Sequence, residues 1–451
     1  MRVLMLGWEF PPFISGGLGT ACLNIAQGLS RKGTGVLFLM PNMPEQKASD
    51  STPKTRVALN SRLTVAGASG TELEMGWKGE SILQESRNLW KHRLVMQSVD
   101  SPLFPYATEE TYDEWTRHLR ESERRKMSEN QPSRSRLTLA GGYGTNLMDE
   151  VYRYGVAVAA MAKNESFDLI HAHDWMTYPA ALLLKQLTGK PLVAHIHATE
   201  FDRSGQHKNE AVAHIEWAGM TGADVVVAVS HYTKSIVMRE YAIPEEKIVV
   251  VHNAVSRSEA QQKYKVPDLC RQEKRVLFLG RVTYQKGPDY FVEAARLVLN
   301  KMKGVHFIMA GSGDMLPKMV QRVAKHRMGK HFHFTGFLRG AEVDRMYAQS
   351  SVYVMPSVSE PFGLTPLEAL CFDVPVIITR QSGVAEVLKY SLQVDFWDVR
   401  EMANIICAVL AYPALMQEVT ANSHEEIKNI TWEKATTRLN TVYRALLGKG
   451  E

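Results

Sequence analysis

Short apolar runs, each stopped by a glycine-bearing loop and followed by an amphipathic stretch, recur along this 451-residue chain. Val3-Leu4-Met5-Leu6 is the first run and Val36-Leu37-Phe38-Leu39-Met40 the next. Between them Leu18, Ala21, Cys22, Ile25, Ala26 and Leu29 fall on one face of a helix. Strand, helix, strand in that order predicts a parallel sheet covered by helices, because a parallel pair needs a long crossover. The pattern continues through Phe167–Trp175, Leu192–His197, Asp224–Ser230 and Ile248–Asn253. After a polar stretch containing Pro267 it starts afresh at Arg275-Val276-Leu277-Phe278-Leu279-Gly280. The fold class is therefore α/β in two successive halves, which suggests a cleft between them. The boundaries read as a first domain over 1–255, a linker over 256–273 and a second domain over 274–430. A last amphipathic helix within 431–451, carrying Trp432, Ala435, Leu439, Val442 and Tyr443, is expected to pack back across the hinge.

Composition narrows the function classes. A net charge of +5 is too weak to argue for nucleic acid, though it suits an anionic substrate. Cys22, Cys270, Cys371 and Cys407 are far apart and match neither a metal spacing nor a disulfide framework, as for reduced thiols of a cytoplasmic protein. The first apolar run is too short for a signal peptide, and no run approaches the length that spans a membrane.

Three loops carry candidate chemistry. Ser359-Glu360-Pro361-Phe362-Gly363-Leu364-Thr365-Pro366-Leu367-Glu368 follows a strand ending at Pro356 and leads into a helix near Leu364. A helix start offers unpaired N–H groups and a positive dipole end, which suit a phosphate. Glu360 before it and Glu368 inside it could grip sugar hydroxyls on either side of a diphosphate; a capping loop with a solvated glutamate is the other reading. The loop Gly280–Gly287 places Arg281 and Lys286 at a strand end before a helix, where a cation pair neutralises a diphosphate. Ser15-Gly16-Gly17-Leu18-Gly19 makes a similar strand–glycine–helix junction, with neither dinucleotide nor P-loop spacing. Gly311-Ser312-Gly313 ends another strand. Gln381–Glu386 begins a short helix whose start could face the same ligand. Asp373, at a helix end, is expected to tolerate a left-handed backbone.

Strands ending in Asp174 and His197 bring polar groups to carboxyl ends, where open α/β sheets bind ligands. His171, His173 and His195 read as structural residues. A metal site there is conceivable, but the sequence identifies no third ligand. The charged span over 109–140 reads as a solvated helix or insertion, or else as a lid over an acceptor, and loose alternation from Lys54 to Leu94 suggests strands of undefined order.

Taken in order, Ser15-Gly16-Gly17-Leu18, His171-Ala172-His173-Asp174-Trp175, Gly280-Arg281 with Gln285-Lys286-Gly287, Gly311-Ser312-Gly313, and Glu360-Pro361-Phe362-Gly363-Leu364 with Glu368 resemble a retaining glycosyltransferase of family four (glycosyl transferases group 1), similar to glycogen and starch synthases. The resemblance implies a GT-B fold, two Rossmann-like domains facing an interdomain cleft. It implies a nucleotide-sugar donor held mainly by the second domain and a glycan acceptor held mainly by the first. Arg281 and Lys286 would hold the donor diphosphate, Glu360 the transferred sugar and Glu368 the ribose. Gly16, Gly17, Leu18, Gly311, Gly363, Leu364 and Thr365 would line the donor. His197 would stand near the sugar's reacting face, with Asp174 on the acceptor side. No Asp-x-Asp pair occurs, in keeping with a transfer that needs neither metal nor cofactor.

Departures touch the substrate. Ile14 stands where bacterial ADP-glucose enzymes of this kind carry lysine, and Gln381-Ser382-Gly383-Val384 replaces their Thr-Gly-Gly-Leu loop. UDP-glucose is therefore expected over ADP-glucose, with an α-1,4-glucan as acceptor. The alternatives are a mannosyl- or other hexosyltransferase acting on a lipid-linked, polysaccharide or small acceptor, and a non-catalytic sugar-nucleotide or glucan-binding protein.

Overall fold

The computed structural model describes residues 1–10, 16–41, 94–99, 146–162, 165–205, 207–256 and 273–448. Ile14, Ser15, Cys270, the strands expected before residue 94, the charged span 109–140 and nearly all of the linker lie outside the described residues.

The first sheet comprises β1 (Arg2–Leu6), β2 (Gly35–Pro41), β3 (Leu94–Val99), β4 (Leu169–His173), β5 (Leu192–Ile196), β6 (Val225–Ala228) and β7 (Ile248–Val250), in the order β3-β2-β1-β4-β5-β6-β7. β1 pairs in parallel with β2 and with β4, Val3 standing opposite Val36 on one side and Leu169 on the other. Val3, Leu4, Met5 and Leu6 are all fully buried, as both faces of a helix-covered parallel strand require. The helix Gly17–Arg31 buries Leu18, Ala21, Cys22, Ile25, Ala26 and Leu29, the face that its spacing defines. The helix Leu147–Ala162 buries Leu147, Val151, Tyr154 and Val158 on one face.

The second sheet comprises β8 (Lys274–Leu279), β9 (Val305–Ala310), β10 (Phe332–Gly336), β11 (Val352–Met355), β12 (Val376–Thr379) and β13 (Leu392–Val394), in the order β10-β9-β8-β11-β12-β13. Its paired strands are all parallel. Phe278, Phe291, Phe307, Val354 and Ile377 form its core with Val298 and Ile406 from the flanking helices Pro288–Lys301 and Val399–Ala411. Each such side chain contributes about 1.5–3 kcal/mol by leaving water. Asp373 takes the left-handed backbone its position calls for, at φ 60°.

Counted from its own first strand, the second sheet runs 3-2-1-4-5-6 and the first runs 3-2-1-4-5-6-7, the doubly wound order, with a seventh strand added in the first, in which the direction of travel reverses between strands 1 and 4. Those switch points lie between β1 and β4 and between β8 and β11. The chain divides into two compact units, one of Met1–Ile196, His214–Val227 and Thr436–Glu451, the other of His197–Ala213 and Ala228–Ala435. Among the described residues no single helix is long and apolar enough to cross a membrane.

Candidate active site

The switch point of the second sheet gathers the loops that follow β8 and β11. After β8 the chain passes Gly280 and Arg281, makes a short 3-10 turn at Tyr284–Lys286, and enters the helix Pro288–Lys301 through Gly287. After β11 it passes Pro356 and Ser357 and reaches Glu360. Lys286 Nζ donates to Glu360 Oε2, and Ser357 Oγ donates to the same oxygen over 3.1 Å. Glu360 is buried, so its charge is held by these partners rather than by water. Arg281 donates from Nη2 to Gln285 Oε1 at 3.1 Å, and the buried Gln285 anchors the next loop by accepting Val358 N–H at 2.9 Å. The cations and Glu360 are thus brought together, with Lys286 and Glu360 bound to each other.

The loop carrying Glu360 is held from several sides. Its backbone pairs with Ser382: Glu360 N–H donates to Gln381 O and Gly383 N–H to Glu360 O, each at 2.9 Å. Ser230 Oγ and Thr233 Oγ1 donate to Pro361 O at 2.5 and 3.2 Å. Ser359 Oγ donates to Asp202 Oδ1 at 2.5 Å and lies 3.0 Å from Tyr232 Oη. Burial pushes Asp202 above the usual carboxylate range, against the opposing pull of Ser359 and Thr199. Sequence reasoning missed Asp202, Ser230, Tyr232, Ser357 and Ser359; local signals existed for Asp202, in the Thr199–Asp202 capping box, and for Ser230, the N-cap of the helix His231–Tyr241.

Gly363, at φ 103°, opens the helix Leu364–Leu370. A Cβ there would press on Met355 Sδ and Val384 Cγ1 at 3.2 Å and on Glu360 Cγ at 3.3 Å. Thr365 Oγ1 accepts from Tyr353 Oη at 2.7 Å. Glu368 accepts from Tyr347 Oη at 3.0 Å, and burial raises its carboxyl pKa in spite of that bond. Gly311 lies against the same strand ends: its Cβ would stand 1.8 Å from Gly280 O. His197, just beyond β5, belongs to this unit. It is partly exposed at its edge, yet loss of hydration pushes its imidazole down to about 3, so the ring is neutral near pH 7.

In the first unit the loops after β1 and β4 meet the start of the helix Gly17–Arg31. Gly16 is its N-cap residue, Gly17 is exposed and Leu18 buried. The buried Glu9 accepts Gly19 N–H at Oε2 over 3.0 Å, so part of this helix start is already committed to the protein's own carboxylate. An acid between β1 and the glycine loop was the available signal. Asp174 is buried at the end of β4 with φ 59°, a costly backbone for a non-glycine residue. It is held by its own N–H on His195 O at 3.0 Å and by Thr177 Oγ1 on its carbonyl at 2.9 Å. Burial first, then the nearby charges of Glu9 and Asp174, raise the Cys22 thiol well above its ordinary pKa. The three residues therefore share one switch point.

His171, His173 and His195 are fully buried, with ligand atoms within 4.8 Å of one another, so the structure supplies the third imidazole the sequence left unidentified. Tyr443 Oη lies 2.6 Å from His171 Nδ1, and His171 Nε2 3.2 Å from His195 Nδ1.

Two doubly wound sheets in one chain, the second with cations and a buried carboxylate at its switch point, agree with what sequence comparison finds. Family descriptions match end to end: starch synthase catalytic domain over 2–125, glycosyltransferase family 4 over 122–259 and glycosyl transferases group 1 over 260–423. The chain is a group 1 glycosyltransferase of the GT-B fold. The glycosyltransferase is 25% identical to an uncharacterized glycosyltransferase of Methanocaldococcus jannaschii, covering 98% of both chains. It is 23% identical to the glycogen synthase of Mycobacterium tuberculosis, covering 99% of this chain and 95% of that one. Among solved structures it superposes on the sucrose-phosphate synthase of Thermosynechococcus elongatus with a TM-score of 0.68 at 16% identity, covering 99% of each chain. It superposes on Anabaena HepE, solved in complex with UDP-glucose, with a TM-score of 0.64 at 15% identity, covering 99% of this chain and all of that one.

Proposed function

We propose that the enzyme transfers glucose from UDP-glucose to an α-1,4-glucan with retention of configuration and without a metal, in the cytoplasm. The observation that carries this reading is the Lys286–Glu360 pair beside Arg281 at the second switch point. The glycogen synthase relative and the match to a starch synthase domain support the glucan, and the UDP-glucose complex of the HepE neighbour supports the donor.

In this reading Arg281 and Lys286 take the donor diphosphate and stabilise the charge that develops as UDP departs. Such aimed charges act in a water-poor site, where one is worth on the order of 3–4 kcal/mol of barrier. Lys286 exchanges Glu360 for phosphate oxygens, and Glu360, still held by Ser357, turns its freed acceptor capacity to sugar hydroxyls. Glu368 accepts from the ribose. Backbone groups of Gly363, Leu364, Thr365 and Gly311 add further donor contacts. His197, neutral at working pH, offers a hydrogen bond without a competing charge at the sugar, and Asp174 serves the acceptor.

Incubation with UDP-glucose and glycogen should release UDP and lengthen the glucan, with the new linkage showing the donor's anomeric configuration by NMR. Failure to release nucleotide with any glucose donor overturns the glucan reading. Thermal stabilisation by GDP-mannose alone points instead to a mannosyltransferase.

A further inference from the structure

Away from the cation pair, three metal-ligating side chains converge at a different point of the second unit. His231 opens the helix His231–Tyr241, His252 follows β7, and Glu386 ends the turn Gly383–Glu386. Their ligand atoms lie within 4.8 Å of one another. His252 Nε2 is 2.9 Å from Glu386 Oε2, and the His231 and His252 ring centroids are 5.9 Å apart. His231 is exposed and the other two half-buried, so an ion can reach them from solvent, unlike the sealed group of His171, His173 and His195.

Glu386 also caps the helix, accepting His231 N–H at 2.9 Å and Tyr232 N–H at 2.6 Å. That role accounts for the carboxylate but not for the two imidazoles beside it.

We propose that His231, His252 and Glu386 form a binding site for a divalent transition metal, zinc by the chemistry of the donors. Two imidazoles and one carboxylate are a known zinc ligand set, leaving a fourth position for water. The same set disfavours magnesium and calcium, which take oxygen ligands. The ion would replace the direct His252–Glu386 contact while the helix cap stays in place. It would also tie together three segments next to the Glu360 loop, since Gly383 N–H donates to Glu360 O at 2.9 Å and Val384 N–H to Phe362 O at 2.7 Å. The site takes no part in sugar transfer and stands whether or not the glucan reading holds.

The test is calorimetric titration of the full chain, first stripped with chelator, with zinc chloride and with magnesium chloride, alongside thermal melts. The expected result is one zinc bound per chain and a higher melting temperature, with neither effect from magnesium. In H231Q, whose side chain is exposed and whose backbone cap is untouched, the zinc-free melting temperature should match the wild type while zinc affinity falls at least tenfold. H252Q should lose binding likewise. Absence of saturable zinc binding, wild-type affinity in H231Q, or equal binding of magnesium overturns the proposal.

Discussion

Lys286 and Glu360 lie 74 residues apart in sequence yet join across the second switch point, the lysine ammonium on a buried carboxylate that Ser357 also holds. Each therefore maintains the other while the donor is absent. Lys286→Ala should leave Glu360 buried with a lost charge partner and lower stability by about 1–3 kcal/mol. Lys286→Met combined with Glu360→Gln should recover most of that loss, because no buried charge is left behind. Urea unfolding of the wild type and the two variants at neutral pH measures it; equal losses in the single and double variants would show that the pair does not act as a unit.

Gly311→Ala should be costly for a methyl group. The position has φ 145°, and the new Cβ would meet Gly280 O at 1.8 Å, backbone against backbone. Strain of this kind costs on the order of 1–3 kcal/mol before the clash is relieved. A thermal melt within a degree of the wild type would contradict the close approach of these two loops.

Tyr443→Phe removes the hydroxyl at 2.6 Å from His171 Nδ1 and nothing else. With both residues fully buried, the loss should be about 1–2 kcal/mol. The readout is the urea midpoint at constant m-value, which separates lost stability from a changed unfolded state.

The alternating architecture was legible because burial on both faces of parallel strands leaves continuous apolar runs, and helix faces keep their 3.6-residue period. The buried face of Gly17–Arg31 came from periodicity alone. Arg281, Lys286 and Glu360 were legible as loop residues at strand ends. What was not legible is the support beneath them. Asp202 reaches Ser359 across 157 positions and Ser230 reaches Pro361 across 131, separations over which local pattern carries no signal. The pairing of Lys286 with Glu360 was hidden for the same reason, each having been read as a contact for a different part of the donor. Glu9 was overlooked because the glycines after it drew the anion-site reading, although an acid so close to a helix start is itself a cap signal.

His197 links stability to acid. Its folded-state pKa of about 3 lies below the unfolded value near 6.5, so in that window only the unfolded chain takes up the proton. The stabilisation is complete above about pH 6.5 and is lost as pH falls toward 3, with a slope below about 1.4 kcal/mol per pH unit because the ring is partly exposed. Unfolding free energies at pH 7.5 and pH 5 should therefore differ less in His197→Gln than in the wild type. An identical difference in both proteins would remove His197 from this account.

The central claim is that Arg281 and Lys286 carry the charge of the departing diphosphate, and initial rates of UDP release from UDP-glucose with glycogen as acceptor test it most directly. The account predicts measurable turnover in the wild type, a loss on the order of 10²–10³ in kcat for Arg281→Ala or Lys286→Ala, and no dependence on added magnesium. Turnover that survives both substitutions unchanged would contradict it.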